Sequence, residues 1–217
     1  MLTLEQFAKL EENKAAAEGL SVEEWRQRRD LELAEQRRRE QDEIFQREMD
    51  SAGVPSRTLR AAGDPIATPA LGFAFTTADI LVLSGPPGRG KSVAACAWLT
   101  MPSRVHVSKR WLSAGSLARG YAYDADAFDG LARAGRLVID DLGTEYQDQK
   151  DRYLATLLEL LQQRFAHERP TCITTNLGAE EFKTRYEDRL ASRIREDGKF
   201  FACDGDDLRR NSAKGTT

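Results

Sequence analysis

The sequence predicts an α/β fold: a parallel sheet flanked by helices, built around a phosphate-binding loop and preceded by an N-terminal α-helical arm. Three observations predict it. Short apolar, partly β-branched runs alternate with helix-period segments from Ile80 onward, as in strands buried on both faces of a parallel sheet. A glycine- and proline-rich turn ending in Lys91 and Ser92 separates the first such run from a helix. The first fifty residues differ from the rest, being rich in Arg, Glu and Gln and poor in apolar side chains.

The arm comes first. Thr3 is followed three residues later by Gln6, with Leu2 and Phe7 placed to pack across the cap, which reads as a capping box with a hydrophobic staple. Ser21 and Glu24 repeat it, with Leu20 and Trp25 as the staple, and Gly19 is a helix stop between the two. A short helix is therefore expected near 4–18 and a long one near 22–50. Glu and Arg interleave at helical spacing along the long helix. It buries little of itself, so it is either a solvated arm or a docking surface. Trp25, Leu31, Ile44 and Phe45 are costly to expose and favour docking. The Gly, Pro and Ser of SAGVPSRTLRAAGDPIATPALG then mark a linker over 51–72, with the compact domain at 73–217.

Ile80 to Leu83 form the first buried strand, and VAACAWL after Ser92 suits a buried helix. Between them SGPPGRGKSV matches G-x-x-x-x-G-K-[ST] in the strand–loop–helix context that this motif requires. Gly85, Pro86, Pro87, Gly88, Arg89, Gly90, Lys91, Ser92 and Val93 would line the nucleotide phosphates. Glycines let backbone N–H groups converge on one anion, and the helix N-terminus adds partial positive charge. Lys91 reaches the β- and γ-phosphates, and Ser92 offers a hydroxyl to Mg²⁺.

A strand ending in acid follows in RLVIDDLGTE: Leu137 to Ile139 are its apolar part. Asp140 is placed to hold Mg²⁺ with Ser92, and Asp141 to orient or deprotonate an attacking water. Residues 152–166 then carry Leu154, Leu157, Leu158, Leu161 and Phe165 on one helix face. Thr171 to Thr175 make another strand, with Asn176 at its carboxyl end, where ligand chemistry gathers in open parallel sheets. Asn176 is a candidate to hold the attacking water, or to cap the next helix. That helix repeats Phe182, Tyr186, Leu190 and Ile194 every four residues beside Arg185, Arg189 and Arg193. The apolar stripe faces the core, and the arginines are candidates to stabilise phosphoryl charge in a neighbouring subunit.

These motifs together resemble an AAA+ ATPase, a P-loop NTPase with a five-stranded parallel sheet. About forty residues follow Asn176, which leaves little room for a helical lid. A lidless AAA+ core behind a charged helical arm resembles the DnaC/DnaI type of bacterial helicase loader, with the IstB-type transposition helpers as close relatives. The resemblance spans roughly residues 53–210 and includes IDDLGTE and the GVPSR segment at Gly53 to Arg57. It implies ATP and Mg²⁺ as cofactors and a spiral homo-oligomer, with Asn176 as sensor I and Arg193, with Arg189 as second choice, as trans-acting arginine finger. Arg209 and Arg210 would match a sensor-II-like position. Residues 1–50 would bind a DnaB-type hexameric replicative helicase, and the ATP-bound core would grip single-stranded DNA. One departure matters: many AAA+ proteins carry Glu where Asp141 stands, and the shorter side chain implies slow hydrolysis, stimulated by DNA or a partner.

Bulk composition sets the remaining bounds. The 217 residues suffice for one sizeable core plus an appendage. With 31% charged residues and a net charge of -3, wholesale non-specific nucleic-acid binding is disfavoured, whereas a local basic groove is not. Lys109, Arg110 and Arg119 with Trp111 and Tyr121, in the stretch expected after a second strand, form a candidate DNA-contacting segment. No apolar run approaches the roughly 20 residues of a membrane span, and MLTLEQFAKLEENK is not a signal peptide, so a cytoplasmic location is expected. Cys96, Cys172 and Cys203 lack metal-ligand spacing and read as core thiols, without a DnaI-like zinc module. The competing functions are a helper ATPase acting on double-stranded DNA and an adaptor that binds nucleotide with negligible hydrolysis.

Overall fold

The computed structural model describes residues 4–63, 69–74, 79–101, 107–117, 124–144 and 150–208. The chain divides into two compact units, Met1–Glu48 and Met49–Thr217.

The first unit contains α1 (Leu4–Ala17) and most of α2 (Val22–Ala52). Gly19 adopts φ 70° and Leu20 N–H returns to Ala15 O at 3.0 Å, ending α1 as expected of a glycine stop. The second capping box is formed: Glu24 N–H donates to Ser21 Oγ at 3.3 Å, and Ser21 N–H to Glu24 Oε2 at 2.9 Å. Thr3, of the first box, lies outside the described residues. Trp25 is buried, with the Arg29 guanidinium 4.9 Å from its ring centroid. Glu11 receives Arg26 at 2.6 Å and Arg29 at 3.3 Å, tying α1 to α2. Farther along α2, Leu31 and Ile44 are 63% and 65% exposed, and Leu33 and Phe45 are also exposed.

The second unit begins inside α2. Met49, Ala52, Val54 and Leu59 are all buried in its core. The described residues of the 51–72 stretch are therefore not a linker. The stretch carries α3 (Ser56–Gly63) and α4 (Pro69–Ala74), which pack against α5 (Lys91–Thr100). Gly53, Pro55 and Pro69, read as linker signals, are helix punctuation, whereas Pro65 lies outside the described residues. Gly53 ends α2 at φ 87°, where a Cβ would stand 2.8 Å from Trp111 O, so only glycine fits. Pro55 then precedes the first turn of α3.

The strands are β1 (Ile80–Ser84), β2 (Lys109–Ser113), β3 (Arg136–Leu142), β4 (Thr171–Thr175) and β5 (Gly198–Ala202). They form one parallel sheet in the order β2-β3-β4-β1-β5. β2 begins at Lys109, so the segment expected to follow the second strand contains it. Trp111 is buried in that strand and is unavailable for base stacking, while Arg119 and Tyr121 lie outside the described residues. Alternation along the strands feeds two cores on opposite faces. Val82, Leu137 and Ile139 join Leu157, Phe182, Tyr186, Leu190 and Ile194 from α8 (Lys150–Ala166) and α9 (Ala179–Asp197). Leu81, Leu83 and Val138 join Ala94, Trp98 and Leu99 from α5. All three cysteines are buried as free thiols.

At the amino end of the sheet, Arg164 of α8 is fully buried. Its five N–H groups are all used: Nε donates to Thr171 Oγ1 at 2.8 Å, Nη1 to Leu131 O and Ala134 O at 2.7 Å each, and Nη2 to Pro170 O at 2.7 Å and Arg169 O at 3.4 Å. Desolvation pulls its pKa down to about 9, and nearby Arg169 adds to the effect. The guanidinium thus closes the end of α7 (Ala125–Arg133) onto the start of β4. Arg164→Lys has too few donors to replace it. Urea unfolding should show a loss of about 2–4 kcal/mol, because several buried carbonyls lose a charge-assisted donor at once.

Candidate functional site

Sheet order brings the expected residues together. β1 lies beside β4, with Ser84 opposite Thr175, so the loop after β1 adjoins Asn176. β3 lies on the other side of β4, which carries Asp140 and Asp141 to the same edge.

The loop Gly85–Gly90 turns through three glycines with positive φ: Gly85 at 143°, Gly88 at 83° and Gly90 at 77°. The segment after β5 lies against it. Leu208 N–H donates to Gly88 O at 3.0 Å, and a Cβ on Gly88 would collide with the Asp207 carboxylate. Gly90 precedes α5 without a side-chain cap, so first-turn amides remain as donors for an anion. Arg89 Nε in the loop is buried with no hydrogen-bond partner among the described residues. Lys91 is also buried; its ammonium donates to Gly85 O at 2.6 Å, Pro86 O at 2.8 Å and Asn176 Oδ1 at 2.9 Å. Lysine and asparagine, 85 positions apart, share one bond at the centre of the cradle.

Ser92 Oγ donates to Asp140 Oδ1 at 2.9 Å, which leaves the hydroxyl's lone pairs to face a cation. Asp140 also receives Thr174 Oγ1 at 2.5 Å. Burial pushes the Asp140 carboxyl above its ordinary range; the Asp141 charge adds to this, while the Thr174 and Ser92 hydroxyls and Lys91 oppose it. A hydroxyl beside a carboxylate supplies the hard oxygen donors that suit Mg²⁺. Asp141 is exposed at the edge of the site. Its φ of 58° is unusual for a residue with a side chain, and the β3–β4 register shifts there. Asn176 is exposed beside Lys91, just past β4.

Glycine cradle, lysine, hydroxyl and two carboxylates therefore converge on one edge, an arrangement that can bind a nucleoside triphosphate and a divalent cation. Arg189 and Arg193 lie on α9, with side chains outside the described ones, and Arg209 and Arg210 fall outside the described residues. Sequence reasoning missed Thr174 and Asp207. Thr174 looked like an ordinary β-branched strand residue, and Asp207 reaches the loop only through the sheet order.

The profile of the family described as IstB-like ATP binding protein matches residues 66–209. The chain belongs to this family. No curated protein matches the sequence. Among solved structures, the IstB-like chain is similar to a DnaC helicase loader (19% identity, 62% of this chain and 86% of that one, TM-score 0.53). It is similar to DnaI (22% identity, 71% and 94% coverage, TM-score 0.56). It is also similar to replication initiator DnaA bound to AMPPCP and single-stranded DNA (15% identity, 63% and 45% coverage, TM-score 0.53). At these identities the likeness establishes the fold, that of a P-loop AAA+ domain. No helix among the described residues is long and apolar enough to cross a membrane.

The buried Asp140 generates a pH-dependent prediction. Its folded pKa lies above the ordinary 3.8, so the ionised carboxylate costs stability once pH rises through that folded pKa. Asp140→Asn keeps an acceptor for Ser92 and Thr174 and removes the charge. Thermal unfolding should show the variant more stable at neutral pH, with the difference closing on acidification. The Mg²⁺-dependent part of its ATP affinity should be lost.

Proposed function

We propose that this IstB-like protein is an ATP-switched loader of a DnaB-type hexameric replicative helicase onto single-stranded DNA, acting in replication initiation as a homo-oligomer. The observation that carries the reading is the pairing of a complete triphosphate cradle with a separate helical unit whose long helix presents Leu31, Leu33, Ile44 and Phe45 to solvent. Likeness to a helicase loader and to a DnaA bound to single-stranded DNA supports it.

In this reading the amides from Gly88 to Ser92 and the Lys91 ammonium hold the β- and γ-phosphates. Ser92 and Asp140 would hold Mg²⁺, which would supply charge neutralisation for the phosphates. Asp141 orients the attacking water and takes its proton, and Asn176 helps to hold that water. Arg193, or Arg189, reaches the γ-phosphate of an adjacent subunit. Lys91 leaves Asn176 when phosphate arrives, so nucleotide state is communicated to β4 and α9. Aspartate at position 141 suits a slow switch.

A second reading, a transposition helper that binds double-stranded DNA, is favoured by the IstB-like profile match. Light-scattering chromatography with the host's replicative helicase, ATP and Mg²⁺ tests the choice. Full-length protein should form a stable complex, and a chain lacking residues 1–48 should not; Met49 is retained because it belongs to the core. Absence of a complex, together with ATP-dependent preference for duplex DNA in fluorescence anisotropy, would favour the helper. Lys91→Ala should weaken ATP binding by about a hundredfold through loss of a buried charge-assisted contact. Asp141→Asn should bind ATP normally and lose hydrolysis.

A further inference from the structure

β3 and β4 pair in register up to Ile139 and Ile173, and pairing resumes at Leu142 and Thr175. Two residues, Asp140 and Asp141, therefore stand opposite one, Thr174. This is a β-bulge, a device that re-aims a side chain at the rim of a sheet. Its position coincides with both acids of the site. The bulge turns Asp141 to φ 58°, a left-handed conformation that most residues with a side chain avoid and that aspartate adopts at modest cost when local hydrogen bonds hold it.

Thr174 is fully buried and supplies that constraint. Its Oγ1 donates its single proton to Asp140 Oδ1 at 2.5 Å and accepts the Asp141 N–H at 2.9 Å. One hydroxyl thus addresses the side chain of the first acid and the backbone of the second. The bond to Asp140 acts on the oxygen that also receives Ser92, so it orients the carboxylate beside the hydroxyl of the phosphate-binding helix. The bond to Asp141 satisfies an N–H that the register shift removes from the ladder. Without it this part-buried N–H loses its protein partner, and regular pairing becomes the better alternative. A one-residue change of register sends a side chain to the opposite face.

Thr175 does related work one residue later. Its Oγ1 donates to Leu142 O at 2.6 Å and accepts Leu177 N–H at 3.1 Å, re-establishing the frame beyond the bulge. Asp141 is further held by its own turn, since Thr144 Oγ1 donates to Asp141 O at 2.7 Å. The N–H of Asp141 nevertheless depends on Thr174.

We propose that Thr174 is a positioning residue for nucleotide hydrolysis: its hydroxyl sets the orientation of Asp140 and holds the bulge that presents Asp141 to the γ-phosphate. The consequence for turnover rests on the ATPase reading above, whereas the consequence for the bulge and for Mg²⁺ does not. The residue touches neither phosphate nor water in this role and acts through the two acids. Valine has the same shape without the hydroxyl, and serine keeps the hydroxyl on a smaller side chain.

The test compares Thr174→Val and Thr174→Ser in the full chain, with thermal melting to verify folding; Thr174→Ala serves if valine crowds the bulge. Binding of a fluorescent ATP analogue in EDTA should stay within about twofold of the parent, because the loop and Lys91 are untouched. The further gain in affinity on adding Mg²⁺ should shrink by about tenfold in the valine variant. Exchange of the Asp141 amide, followed by NMR, should quicken by about tenfold as its partner disappears. Turnover at saturating ATP should fall roughly a hundredfold through misplacement of Asp141, and serine should restore all three quantities. A valine variant with parental amide protection and a parental Mg²⁺ gain would overturn the proposal. So would a serine variant as impaired as valine, since that would mark a packing role. If the parent itself shows no turnover, with or without DNA, the ATPase reading falls, and the exchange and Mg²⁺ measurements still decide the role of Thr174.

Discussion

A guanidinium without a carboxylate holds the frame of the second unit. Arg164 sits where a loop, a helix end and a strand start meet, and it adds strong donors to carbonyls that otherwise have long bonds or none: Leu131 O and Pro170 O each receive a backbone N–H only at 3.3 Å. A buried carbonyl left alone is costly, and a planar group with five donors can satisfy several at once. Arg136 does the same at the next corner, donating to Trp98 O at 3.2 Å and Met101 O at 2.6 Å beyond the end of α5. Arg169 adds a bond to Ala132 O at 2.8 Å. Positive charge at helix carboxyl termini is also favourable to the helix dipole, so the same groups serve geometry and electrostatics. These contacts anchor the ends of α5 and α7 at the amino edge of the sheet.

The opposite edge follows a different rule. There the polar groups satisfy one another while remaining suited to a ligand. Lys91 is held by two loop carbonyls and Asn176, and Asp140 by two hydroxyls. This arrangement keeps a buried cation and a buried anion in place without direct contact between them. In the proposed function, an incoming triphosphate would exchange carbonyl contacts of Lys91 for phosphate contacts and meet side chains already close together. Pre-positioning lowers the ordering cost of binding. The bond between Lys91 and Asn176 also joins the loop to the segment that leads into α9.

The arm obeys neither constraint. Its stability comes from α1–α2 contacts around Trp25 and Glu11, and from local charge pairs such as Arg28 with Glu32 at 3.1 Å. Such exposed pairs contribute a few tenths of a kcal/mol each. Beyond Leu33 the helix exposes Ile44 and Phe45, which no described residue of its own unit covers, and a partner-dependent role fits that exposure.

Much of this was legible in advance. The apolar runs of β1, β3 and β4, the periodic faces of α8 and α9 and the glycine stop of α1 are local patterns, and local patterns survive folding. The same holds for Gly85 through Val93, whose glycines and lysine have meaning at fixed spacing. What misled was punctuation: Gly53 and Pro55 look alike in a linker and in a tight helix junction, and only the proximity of Trp111 O distinguishes them. Trp111 itself was ambiguous because burial depends on what packs above a strand. Residue type and spacing alone determined that this chain carries a phosphate loop, two adjacent acids and a polar residue after a strand. Only the tertiary structure decided that one threonine on a neighbouring strand bonds both acids, and that an arginine far from the site closes the frame. Both are bonds between residues about thirty positions apart, and hydrogen-bond geometry across strands leaves no periodicity to read.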